Sequence, residues 1–207
     1  MAKSKESADQ LARLVLEMRD DIIFGAYEPG TWLKLTDLQA YHGASAFHIR
    51  RALDELKNLR LVDHVANAGF RVATPNEFTR VETRFVRAVL ERSAVPFIAA
   101  RASAENIEEL RRLAQLFEES IGQEGRRAQA LANHNFHAKL YSIAGNEVLH
   151  DMINELRNRS QHATKGRWRS TEGLQASSRD HFEIVRAIEE RDPYELDRII
   201  VRHIESF

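Results

Sequence analysis

The chain has 207 residues, 30 Lys/Arg against 31 Asp/Glu for a formal net charge of −1, and no cysteine. That length accommodates one large or two small domains with a real core. The charge balance excludes a global basic excess as the signal of a nucleic-acid partner, and the missing cysteines exclude disulfides and thiolate metal sites.

The start, MAKSKESADQ, is polar and lacks the apolar core of a secretion signal. No apolar run approaches the roughly 20 residues of a membrane span, so a cytoplasmic protein with no membrane partner is expected. Leu11, Leu14, Val15, Met18, Ile22 and Ile23 recur at helical spacing and predict an amphipathic helix over about 8–24. Pro29-Gly30 fits the centre of a type II turn, where proline presets one dihedral and glycine accepts the positive one. Thr36 and Gln39 have the spacing of a capping box and predict a short second helix closed by Gly43. Ser45 then caps a third helix with the apolar stripe Ile49, Ala52, Leu53, Leu56 and Leu59. In LVDHVANAGFRVAT the period changes, and Val62, Val65, Phe70 and Val72 flank Asn67-Ala68-Gly69 as a hairpin. Three helices and a hairpin predict a winged helix-turn-helix over residues 1–75.

The linker is expected at 74–76, because Pro75 discourages a helix through residue 74. Beyond it every strong signal is helical. Helices are expected near 77–102, 105–120, 126–143, 146–163, 176–191 and 193–206, broken at Gly122, Gly125, Gly145, the KGRWRSTEG stretch and Asp192-Pro193. The fold class is therefore mainly α, with a β-hairpin wing in the first domain and an all-α bundle over 76–207.

The third helix poses a question. His48, Arg50 and Arg51 lie in its first turns, where the macrodipole favours anions. The stripe of Ile49, Leu53 and Leu56 faces the core, so these cations and Lys57 turn outward. A recognition helix entering a DNA major groove gives them phosphates or guanine edges to meet. The plain alternative is a solvated helix face neutralised by Asp54 and Glu55, and residues 1–75 carry ten Lys/Arg and ten Asp/Glu.

The stretches IIFGAYEPGTWL, LQAYHGASAFHIRRALDELKNLRLV and AGFRV resemble the DNA-binding half of the GntR family of bacterial transcription regulators. Gly25, Pro29, Gly30, Leu38, Gly43, Ser45, Arg50, Ala52, Leu53, Leu56, Leu61, Val62 and Gly69 keep their places in that pattern. Ala46, His48 and Arg51 depart from its usual arginine, proline and glutamate. The resemblance implies an operator of double-stranded DNA and a DNA-facing set of Thr36, Ser45, Phe47, His48, Arg50, Arg51, Lys57, Asn67 and Gly69.

Nine histidines occur in the chain. In NHNFHAKL, Asn133 and His137 are four apart and share a helix face, whereas His134 points about 100° away. His181 lies as far before Asp192 as His203 lies after it. If Asp192-Pro193 turns an antiparallel helix pair, both imidazoles sit at one level, about 16 Å from the turn. Together with His137 and Asn133 from a facing helix they would offer three nitrogens and an amide oxygen to one ion. The alternative is a set of hydrogen-bonded core histidines.

RFVRAVLE, NHNFHAKLYSIAGN and RDHFEIVRAIEERDPYELDRIIVRHI resemble the FadR-type effector domain, called FCD. The resemblance implies a FadR-subfamily regulator whose divalent transition metal, zinc or nickel, is held by Asn133, His137, His181 and His203. Asn133 stands where the metal-binding members have an aspartate, which implies either a weaker site with a stronger pull on anions or a site without metal.

Arg87 has two readings: an exposed pair with Glu91 one turn along, or a cavity residue clamping a carboxylate effector, which the resemblance favours. Asn154 and Arg157 are expected beside it. Trp168, between Arg167 and Arg169, is expected to cap the packing. The expected protein is a homodimeric repressor controlled by a small organic acid, and not an enzyme. The rivals are a metal-responsive regulator without organic effector, a metal-dependent hydrolase lacking any obvious general base, and a plain dimerisation module.

Overall fold

The structure is a computed structural model that describes residues 2–74, 77–123, 126–163 and 170–206. Its contacts divide into two compact units, Met1–Pro75 and Asn76–Phe207. The linker residues Pro75 and Asn76, the break at Gly125, and Arg167, Trp168 and Arg169 lie outside the described residues.

The first unit runs α1 (Ala2–Ile23), β1 (Trp32–Leu33), α2 (Leu35–His42), α3 (Ala46–Asn58), β2 (Val62–Val65) and β3 (Gly69–Val72). Helix α1 packs on α3, joining Leu14, Met18 and Ile22 to Ile49, Ala52, Leu53 and Leu56, all buried. Each such side chain, removed from water, contributes about 1.5–3 kcal/mol if aliphatic and branched. The chain then turns at Glu28–Thr31, where Thr31 N donates to Glu28 O at 3.0 Å and Gly30 takes φ +85°, as a type II turn requires.

The second helix starts differently from the expectation. Its N-cap is Lys34, with no side-chain hydrogen bond, and Thr36 Oγ1 is turned to Asp37 instead. The Thr36–Gln39 capping box is therefore not formed. The helix starts two residues earlier, at Leu35, and buries Leu38. Gly43 closes α2 in the left-handed region, and Ser45 caps α3 by accepting from His48 N at 3.3 Å.

The hairpin of β2 and β3 gains a partner that two residues of sequence could not reveal. β1 pairs antiparallel with β3 (Trp32 with Arg71, Leu33 with Phe70), giving a three-stranded sheet of order β1-β3-β2. At the hairpin tip Asn67 has φ +61° and Gly69 φ +101°, conformations that asparagine and glycine adopt most readily.

The second unit holds α4 (Glu77–Arg101), α5 (Ala104–Ser120), α6 (Arg126–Ser142), α7 (Glu147–Ala163), α8 (Thr171–Glu189) and α9 (Pro193–Glu205). Helix α4 packs on α6, α7 and α9, while α8 packs on α5 and α9. Their shared core includes Ile98, Leu110, Phe136, Leu140, Ile153, Ile184, Ile188, Leu196 and Ile200. Helix α5 begins with a complete capping box between Ser103 and Asn106. Helix α8 begins about five residues before the expected start, because Ser170 caps it and accepts from Gly173 N at 3.1 Å. A glycine in the first turn hides such a start from propensity alone. Asp192 caps α9 through Tyr194 N and Glu195 N, both at 3.0 Å, with Pro193 at the first helical position.

Candidate functional site

In the first unit, α3 presents Arg50, Arg51 and Lys57 to solvent, on the side opposite its buried stripe. Phe47 is exposed beside them, and His48 is half-buried with Nδ1 3.1 Å from Ser45 Oγ. Ser45, Thr36 and Asn67 are exposed, and Gly69 is half-buried at the hairpin. The cations at this helix end meet no acidic side chain in its first turn, which holds none.

The second unit brings three histidines together. His137 on α6, His181 on α8 and His203 on α9 are all buried, and their Nε2 atoms converge: His137 to His181 3.1 Å, His137 to His203 3.1 Å. Three nitrogens each about 2.0–2.1 Å from one centre stand roughly 3.3 Å apart in a tetrahedron and somewhat closer in an octahedron. The two spacings from His137 fit either, and the three ligand atoms lie within 4.8 Å of one another. Among the described residues these are the histidines and acids grouped closely enough to hold one ion. His134, next to the group in sequence, is half-buried and outside it.

Hydrogen bonding alone does not account for the convergence. His203 Nδ1 lies 3.1 Å from Asp180 Oδ2, and donation there leaves a lone pair on His203 Nε2. His137 Nε2 then has at most one hydrogen for the two nitrogens that face it. The Nδ1 atoms of His137 and His181 are buried without a hydrogen-bond partner among the described residues, as is Asn133 Oδ1. Asn133 is itself buried, one turn before His137 on the same face of α6. Buried groups left in this state are costly unless something binds them. Burial pushes the His137 and His181 imidazoles well below their usual range, with Arg157 and neighbouring histidines adding to the effect. Burial also lowers His203, opposed by the Asp180 carboxylate. Neutral imidazoles with inward lone pairs are what a metal ligand set requires. Phe136 stacks on His181 with ring centroids 4.1 Å apart, fixing that ring.

Beside the histidines lies a second buried group. Arg87 Nε donates to Glu91 Oε1 at 2.8 Å, and Arg157 Nη1 donates to Glu91 Oε2 at 3.1 Å. Tyr141 OH also donates to Glu91 Oε2. Both arginines are 5% exposed and Glu91 0%. Arg87 thus makes the Glu91 pair, but as a buried contact rather than the exposed one of the plain reading. Burial would raise the Glu91 carboxyl, yet the two guanidiniums and the tyrosine outweigh it and hold it below the usual range. Asn154 does not join this group: its Nδ2 lies 2.9 Å from His150 Nε2, and its short side chain is taken up there.

Three residues here escaped the sequence reading as parts of the site: Glu91, Tyr141 and Asp180. Asp180 is half of a relay, accepting from His203 on one side and from Arg202 Nη2 at 2.6 Å on the other. It holds the His203 ring and tautomer. Replacement Asp180→Asn is expected to weaken divalent-metal affinity about 10–100-fold while leaving the fold intact, as read by calorimetric titration of metal-stripped protein.

A winged helix-turn-helix unit is followed by a helical unit that buries a histidine cluster, and proteins described as transcriptional regulators, one of them as GntR, resemble this chain. The sequence pattern of the FCD domain matches residues 82–206, more than half of the chain, and the protein belongs to the FCD-domain family. It is similar to the Nta operon transcriptional regulator of Aminobacter aminovorans, with 25% identity over 180 residues, 87% of this chain and 84% of that one. Among solved structures, E. coli McbR/YncC shares the fold at a TM-score of 0.83 and 17% identity, covering 95% of this chain and 93% of its own. A Rhodococcus sp. RHA1 protein described as a GntR regulator aligns at a TM-score of 0.80 and 22% identity, covering 95% and 94%. No helix among the described residues is long and apolar enough to cross a membrane.

Proposed function

We propose that the protein is a homodimeric, DNA-binding repressor of the FadR subfamily, whose operator affinity is set by a small carboxylate effector at a divalent-metal site. His137, His181 and His203 hold the metal, with Asn133 as a further oxygen donor; zinc and nickel suit the imidazole ligands best. Arg87 and Arg157 receive the carboxylate, where a planar guanidinium matches two oxygens. The observation that carries this reading is the meeting of three buried histidines, with His137 Nε2 3.1 Å from the Nε2 atoms of both His181 and His203, beside an Asn133 Oδ1 without a hydrogen-bond partner among the described residues. The hydrolase reading gains little from the grouping, because the carboxylate nearest the histidines, Asp180, is engaged by the Nδ1 of His203 and by Arg202 and does not belong to the ligand group.

On the DNA side, one α3 helix from each protomer enters a half-site of a near-palindromic operator. Arg50 and Arg51 contact the duplex, and the hairpin residues Asn67 and Gly69 reach the adjacent backbone. Arg50→Ala and Arg51→Ala, measured on a duplex selected from a random pool, are each expected to weaken binding. Loss of a phosphate contact lowers the salt slope of log K by about one, and loss of a base contact relaxes specificity at one position. Unchanged affinity in both variants would remove α3 as the reading helix.

The effector acts only through different affinities for two dimer arrangements. The test is operator binding by metal-loaded and metal-stripped protein, with and without a panel of small organic acids. A tenfold or larger change on adding an acid, seen only with metal present, supports the reading. A response to metal alone supports a metal sensor, and no response to either supports a plain dimerisation module.

A further inference from the structure

We propose that the effector site is built for a dianion, a ligand carrying two carboxylates, and that Asn133 sets this preference. The inference rests on the carboxylate reading above and narrows it to a class of ligand. Its basis is the fixed charge of the buried groups. Arg87 and Arg157 are both about 95% buried and share one carboxylate, that of Glu91, so one cation is in excess before any ion binds. Asp180, behind His203, shares Arg202 with Glu183 on the outer side, at 2.6 and 2.5 Å, so it offsets that excess in part and leaves the two charges of a bound ion unmet. The histidine group includes no aspartate or glutamate. The buried side chain one turn before His137 is the uncharged Asn133, its Oδ1 without a partner among the described residues. A divalent ion bound by neutral imidazoles and an amide keeps its whole charge inside the bundle.

An uncompensated buried charge costs several kcal/mol, so a ligand must bring the missing negative charge. One carboxylate leaves most of the excess in place; two remove much more of it. Hydrogen-bond donors for a second carboxylate are also present. Ser177, one turn before His181 on α8, and Ser178 are buried with hydroxyls that have no partner among the described residues.

The test is calorimetric titration of the metal-loaded full chain with propionate and succinate, and of the variants Asn133→Asp and Asn133→Ala. Succinate is expected to bind at least tenfold more tightly than propionate to the unsubstituted protein. Asn133→Asp places a negative charge beside the ion and should erase most of that ratio, whereas Asn133→Ala leaves the charge unchanged and should keep it. Thermal melts check that both variants fold, and the ratio in the unsubstituted protein stands without them. Equal affinities for the two acids, or a ratio unaltered in a folded Asn133→Asp, would overturn the dianion proposal alone. If the metal-loaded protein binds neither acid, the carboxylate reading falls and this proposal with it.

Discussion

Replacing Glu91 by alanine is expected to destabilise the helical unit by about 3–5 kcal/mol, because two buried guanidiniums would lose the counter-charge they share. For a chain of this size the thermal midpoint should drop by on the order of 10 °C. Exposed ion pairs elsewhere give a contrast. Arg112 with Glu109 is as short, at 2.7 Å, but lies in solvent, where such pairs contribute little. The double variant Glu91→Gln/Arg157→Met is expected to be less destabilised than Glu91→Gln alone, since the second change removes a charge that the first left bare. Equal losses in the two would mean that Glu91 matters through packing and not through charge.

The second large effect concerns the metal. His137 is the hub of the histidine group, facing both other Nε2 atoms. His137→Ala is therefore expected to lower divalent-metal affinity by at least about 100-fold, beyond the 10–100-fold typical of losing a residue behind the ligands. Elemental analysis after dialysis should find about one ion per chain in the unsubstituted protein and a small fraction of that in the variant. His134→Ala serves as control, because that ring lies outside the group. Loss of metal in both variants alike would assign the ion to a different place.

These two effects illustrate what the sequence could and could not tell. Local chemistry was legible: Ser45 before a heptad-like stripe, the Pro29-Gly30 turn, and Asp192-Pro193 before an apolar helix all report on neighbours within four residues. The level placement of His181 and His203 was legible too, over a longer range, because two helices joined by a short turn run antiparallel. Their ring centroids lie 5.4 Å apart. Where local rules compete, the reading failed. Thr36 had the spacing of a cap, but the burial of Leu38 set the helix start two residues earlier. Ser170 was hidden as a cap by Gly173. β1 is two residues long, too short to show a period, and exists only through pairing with β3.

The missing site residues share a cause. Tyr141 and Arg157 reach Glu91 across 50 and 66 residues of chain, and Asp180 reaches His203 across 23. No spacing rule covers such contacts. Asp180 did carry one clue, an acidic residue adjoining a candidate ligand on a helix whose other face is apolar. That placement marks a carboxylate able to support a neighbouring helix's histidine, here His203 and not the adjacent His181.

The central claim is that three imidazoles from separate helices share one cation inside the bundle. Crystals of the protein purified without chelator, measured with X-rays on either side of the zinc and nickel absorption edges, address it most directly. The account predicts one anomalous peak equidistant from the Nε2 atoms of His137, His181 and His203, at about 2.0–2.2 Å from each. Absence of any peak in protein supplied with both metals, with a water or a ring flip satisfying the three nitrogens instead, would contradict it.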